Sequence, residues 1–81
     1  MREINIEDWF RILTPEDRKD FTGSIRYSNK KIKYFLNGLY HRIDGPALID
    51  GDFVEYWING EETTKEAQEL YHSLMKLKGL I

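Results

Sequence analysis

The densest polar run in the chain is Tyr40-His41-Arg42-Ile43-Asp44-Gly45-Pro46. A histidine three residues before an aspartate can act as a general base with an orienting carboxylate, so a small hydrolase-like enzyme using His41 and Asp44 is one reading. No serine or threonine nucleophile is tied to that pair by a motif, and the chain has no cysteine. In extended backbone Arg42 and Asp44 instead share one face, and Asp44 orders the turn into Gly45. His41 and His72 are the only histidines, and no zinc-type spacing joins them to an acid. Asp50-Gly51-Asp52 has the opening of a calcium loop but lies between strand-like runs and lacks the later acidic ligands, so a hairpin turn is expected there. No catalytic residue, metal or cofactor is predicted.

Lys30, Lys31 and Lys33 interleave with Tyr27, Tyr34 and Phe35, a pattern that suits phosphates on lysines and bases on rings. A nucleic-acid-binding protein using this lysine-rich segment is therefore a second reading. The net charge of −2 gives no general pull on nucleic acid. Its distribution is uneven. Residues 23–44 carry Arg26, Lys30, Lys31, Lys33 and Arg42 against Asp44, a balance of +4, whereas residues 45–62 carry Asp50, Asp52, Glu55, Glu61 and Glu62 with no base, a balance of −5. Either these segments lie side by side and attract across strands, or one face stays polarised for a partner.

The elements that would position these groups follow from periodicity. Residues 23–38 align with residues 45–60 at an offset of 22, and both copies close on Asn-Gly, a type I′ hairpin signal. Within the copies, apolar residues alternate: Ile32, Tyr34 and Leu36, then Val54, Tyr56 and Ile58. Before them, Asn5 caps a helix with Asp8 at its third position, and Ile6, Trp9, Phe10 and Leu13 recur at helical spacing; Thr14-Pro15 restarts the pattern. After them, Thr63 and Glu66 form a capping box, Ala67, Leu70, Tyr71, Leu74 and Leu77 form a stripe, and Gly79 stops the helix. The expected fold is α+β: an antiparallel meander of about five short strands over residues 24–58, with an N-terminal and a C-terminal helix packed on the sheet. It reads as one domain, with a helical segment over 5–22, a β-repeat region over 23–60 and a helix over 63–78. The C-terminal stripe is expected to cover Tyr34, Leu36, Val54, Tyr56 and Ile58.

That arrangement puts Phe35, Phe53 and Trp57 on the opposite face. They are core if the N-terminal helix covers them through Trp9 and Phe10, and a contact surface or homodimer interface if it does not. No apolar run approaches the ~20 residues of a membrane span, so no membrane association is expected. The N-terminus lacks the apolar segment of a signal peptide, and a cysteine-free chain fits a reducing cytoplasm.

The run Leu36-Asn37-Gly38-Leu39-Tyr40-His41-Arg42-Ile43-Asp44-Gly45-Pro46-Ala47 resembles the Asn-Gly-x-x-His-Arg-x-Asp-Gly-Pro-Ala repeats of small bacterial, phage and giant-virus proteins, grouped loosely with MORN-like hairpin repeats. Tyr56-Trp57-Ile58-Asn59-Gly60 is similar to the close of the next unit, so residues 34–60, a third of the chain, carry the resemblance. It implies tandem β-hairpins used as a scaffold or interaction surface rather than an enzyme. After Gly60 this chain departs from the pattern with Glu61-Glu62-Thr63-Thr64 and enters a helix. The leading expectation is a small non-catalytic protein-binding module, of the kind a phage uses to inhibit or modulate a host protein. Its candidate surface is Phe35, Phe53 and Trp57 with Lys31, Lys33, Glu55, His41 and Arg42.

Overall fold

A computed structural model describes residues 2–81. Its elements run β1 (Glu3–Asn5), α1 (Ile6–Arg11), α2 (Pro15–Lys19), β2 (Gly23–Arg26), β3 (Lys31–Leu36), β4 (Leu39–Tyr40), β5 (Leu48–Asp50), β6 (Phe53–Ile58), β7 (Glu61–Thr63) and α3 (Lys65–Leu77). The chain is α+β, with a mostly antiparallel sheet and helices at both ends. It departs from a five-strand meander in having seven strands and a mixed sheet. β1 pairs in parallel with β2, setting Ile4 beside Ile25, and both side chains are buried. Three residues with one apolar side chain give no period to read, so β1 is a product of tertiary packing.

The repeat is built as two strands and an Asn-Gly turn. β3 pairs with β2 on one edge and with both β4 and β5 on the other. β4 and β5 are thus two pieces of one strand, interrupted by an excursion over residues 41–46. The chain returns at Ala47, whose carbonyl accepts the Tyr34 N–H at 2.7 Å. Asn37 and Asn59 have φ of 50° and 48°, and Gly38 and Gly60 have φ of 81° and 82°, the paired positive values of a type I′ turn. Each turn docks on the preceding strand in the same way. The Asn N–H donates to a side chain, Thr22 Oγ1 or His41 Nδ1, both at 2.9 Å. The Gly N–H donates to a carbonyl, Phe21 at 2.9 Å or Tyr40 at 2.8 Å.

The two faces of the sheet follow from the register. Ile25, Lys33, Leu48 and Glu55 lie in one cross-strand row of face A, flanked by Lys31, Asp50 and Phe53 on one side and by Phe35, Tyr40 and Trp57 on the other. Tyr34, Ile32, Ile49, Val54, Tyr56 and Ile58 lie on face B. The N-terminal helices cover one end of face A. Asn5 caps α1, and Thr14 with Asp17 completes a capping box on α2, whose first residue is Pro15. Their sequence places Leu13 and Phe21 over Ile4 and Ile25, with Trp9, Tyr27 and Phe35 packed around this core. The rings continue outward in a row: Trp9–Phe21 at 5.1 Å, Phe21–Phe35 at 6.4 Å, Phe35–Tyr40 at 5.0 Å and Tyr40–Trp57 at 5.2 Å between centroids.

α3 starts one residue later than expected, with Thr64 rather than Thr63 as N-cap, because Thr63 is held in β7 opposite Tyr56. It packs against β6 on face B. Of the expected stripe only Tyr71 makes that contact; its leucines do not. The residues turned to the sheet are Gln68, which is buried, and Tyr71, His72 and Met75, which are half-buried. Leu70, Leu74 and Leu77 are 63%, 44% and 84% exposed. At 3.6 residues per turn the edge formed by Ala67, Leu70, Leu74 and Leu77 is centred ~130° from the side that meets the sheet. The helix is rotated because the excursion over residues 41–46 draws Gln68 inward, as described below.

Burial separates two aromatics that look alike in the sequence. Phe21 is 4% exposed and central to the core, whereas Phe10 is 65% exposed and only meets the Arg18 guanidinium at 5.4 Å. Phe21→Ala is expected to lower stability by ~3 kcal/mol or more, and Phe10→Ala by ~1 kcal/mol or less. Urea unfolding of the two variants measures the contrast; equal losses would remove Phe21 from its place as anchor.

Candidate functional site

The polar run over residues 40–46 is a structural device. The Arg42 guanidinium lies 4.1 Å from the Tyr34 ring centroid, its Nε donates to Asp44 Oδ1 at 2.9 Å, and a terminal nitrogen donates to the Pro46 carbonyl at 3.2 Å. Gly45 packs directly on that guanidinium: a Cβ there would stand 2.9 Å from Arg42 Cζ. The loop is sealed from the other side by Gln68 of α3, whose side-chain amide donates to the carbonyls of Arg42 (2.6 Å) and Gly45. Ala47, fully buried, resumes the strand.

His41 and Asp44 are not brought together as a base and its orienter. Asp44 takes the Arg42 N–H, while His41 Nδ1 accepts from the Asn59 backbone and its ring meets Tyr71 edge-on at 6.5 Å. Burial pushes the His41 pKa below its ordinary value. His41 and Arg42 therefore sit on face B, beneath α3 and apart from the other candidate residues. Sequence reading missed Gln68. A single glutamine on the rim of a helical stripe gives no signal that it is buried.

Face A divides the remaining candidates. Phe35 belongs to the core, in the ring row between Phe21 and Tyr40. Lys31, Lys33, Phe53, Glu55 and Trp57 come together beyond the footprint of α1 and α2. Phe53 is 60% exposed, and the Trp57 indole N–H donates to Glu55 Oε1 at 3.0 Å. Lys31 stands directly across from Asp50, and Leu48 separates Lys33 from Glu55. The opposite charges are thus interleaved along adjacent strands. Lys33 Nζ lies 4.9 Å from the Tyr27 ring and 5.6 Å from the Tyr40 ring. Burial alone would lower its pKa, but the Tyr40 and Tyr27 side chains beside it favour the charged ammonium and hold it above the ordinary lysine value. Lys31 Nζ caps the same Tyr27 ring at 5.4 Å.

Among the described residues no group of three or more His, Cys, Asp or Glu side chains is gathered as a metal site, and no helix is long and apolar enough to cross a membrane. The chain matches no protein-family profile, no curated protein sequence and no solved structure.

His41 supplies a pH test of the inter-unit joint. Its folded-state pKa lies below the unfolded value, so at mildly acidic pH the unfolded chain binds the extra proton and the folded chain resists it. The stability from this site is complete above the unfolded pKa of ~6.5 and falls as pH drops toward the lowered folded value. Wild-type protein is expected to lose urea resistance between about pH 7 and pH 5. His41→Thr, which keeps an acceptor as Thr22 does in the first unit, is expected to flatten that slope. Parallel slopes for the two proteins would detach His41 from the effect.

Proposed function

We propose that the protein is a non-catalytic module that binds another protein through the open half of face A, with Phe53 as the apolar anchor and Lys31, Lys33, Glu55 and Trp57 around it. The observation that carries this reading is Phe53 itself: a phenylalanine 60% exposed on a sheet face, flanked by lysines and carboxylates of both signs. Binding interfaces concentrate their energy in such rings and use surrounding charge to choose orientation and partner. The aromatic row leading back from Trp57 to Phe21 packs the Trp57 end of this surface in place, which lowers the ordering cost of association. The polar run that most resembles chemistry is consumed by loop architecture, which favours binding over turnover. Resemblance to hairpin-repeat proteins points the same way, and a small inhibitor or modulator of a host protein in the cytoplasm is the role this build suits.

The lysine-rich segment has less to offer nucleic acid. Lys31 and Lys33 sit over the Tyr27 and Tyr40 rings, where a base would have to stack. Affinity capture from host extract with mass-spectrometric identification supplies the partner. Against that partner Phe53→Ser is expected to weaken binding by ~2 kcal/mol, with the fold intact by circular dichroism. Charge reversal at Lys33 or Glu55 is expected to change the association rate and its salt dependence. Unchanged affinity in Phe53→Ser overturns the surface. Tight, steeply salt-dependent binding of single-stranded nucleic acid would move the reading to the lysine segment.

A further inference from the structure

We propose that the chain pairs with a second copy of itself through α3, the two helices running antiparallel about a two-fold axis near the middle of the helix. Ala67, Leu70, Leu74 and Leu77 follow the alternating three-and-four spacing of a helix-pairing seam. Every one of them is exposed. The sheet uses the other side of the helix, through Gln68, Tyr71, His72 and Met75, so the seam is left with no intramolecular partner among the described residues.

Charge selects the occupant and its direction. α3 carries Lys65, Glu66 and Glu69 in its first half, a balance of −1, and Lys76 with the C-cap Lys78 at its end, a balance of +2. A parallel pair stacks glutamates on glutamates and lysines on lysines. An antiparallel pair layers Leu70 on the second copy's Leu74 and Ala67 on its Leu77, and sets the net-negative first half of one helix beside the net-positive end of the other. The same register delivers the second copy's Lys78 and Ile81 to an open cleft of about 470 Å3 between β7 and α3. That cleft is lined by Glu61, Glu62, Thr63, Ala67 and Tyr71, which offer carboxylates for the ammonium and apolar surface for the isoleucine. The seam is only three helical turns long, at the small end of specific interfaces, so the pairing is weak and governed by protomer concentration.

Sedimentation of the full chain over about two decades of concentration, up to ~500 µM, is expected to show a reversible monomer–dimer equilibrium. Leu70→Asp with Leu74→Asp is expected to remain monomeric with an unchanged circular dichroism spectrum, since neither side chain is in the core. The absence of native cysteine permits a test of direction. An oxidised mixture of Leu70→Cys and Leu74→Cys proteins is expected to give mainly the mixed disulfide. A chain monomeric throughout, or a dimer untouched by the double aspartate variant, overturns the proposal. Efficient homodisulfides from each cysteine variant alone overturn the antiparallel arrangement. None of these readouts depends on a partner for Phe53, so failure here and failure of the face A surface are separable.

Discussion

The sheet depends on Arg42. Leaving β3 at His41 and rejoining it at Ala47, the backbone must turn out, reverse and come back in register, with its polar groups satisfied. Arg42 fills the loop with its own side chain. The guanidinium spreads over Tyr34, takes the Asp44 carboxylate and the Pro46 carbonyl, and leaves room above it only for a glycine. A ring contact of this kind contributes ~1 kcal/mol or more when partly desolvated. Its larger effect is geometric. Because the loop closes on itself, β4 and β5 lie along one line and present a single edge to β6, and the second unit can dock on the first through Asn59 and Gly60. Arginine is the side chain for this position because it stacks and forks at once; lysine does neither.

The loop also decides where α3 lies. Arg42 and Gly45 leave two carbonyls pointing toward face B, and a buried acceptor without a donor costs ~1–3 kcal/mol. Gln68 reaches both with one amide group. A helix held at that point rotates until position 68 faces the sheet, and Tyr71, His72 and Met75 follow by helical spacing. The leucines then face away. Hydrophobic stripe and hydrogen-bond demand compete for one helix, and the hydrogen bonds of Gln68 to the half-buried loop prevail.

That competition marks the boundary of what a sequence reading can supply. The local signals are strong: Asn5 and Thr14 cap as their residue types require, both Asn-Gly pairs adopt positive φ, and the repeat offset becomes a structural repeat. The α+β class follows from them. The missed features are non-local. β1 forms because Ile4 finds Ile25 across 21 residues of chain. The pairing of Asp44 with Arg42 follows from the face they share in extended backbone, whereas the Tyr34 ring under Arg42 comes from another strand and has no local signal. The face of α3 is set by carbonyls that no side-chain pattern encodes. For the candidate surface, alternation grouped Phe35, Phe53 and Trp57 on one face but could not tell which lay under α1.

The helices cover opposite faces at opposite ends of the sheet, and this diagonal arrangement leaves two free surfaces of different kinds. Face A beyond α1 is rigid, aromatic and mixed in charge. The free side of α3 is aliphatic, and the helix is net negative in its first half and net positive at its end. An aliphatic seam of opposite end charges suits a second copy of itself, whereas Phe53 among lysines and carboxylates on adjacent strands does not, so the proposed pairing and the proposed partner contact draw on surfaces of different chemistry. The two surfaces lie on opposite sides of the sheet, so pairing through α3 leaves each Phe53 accessible. A pair of chains would then present two copies of one contact surface at fixed geometry. Such a pair gains avidity only for a partner with two matching sites at that spacing. The symmetry of the partner, rather than the strength of either contact, would then determine whether dimerisation affects binding.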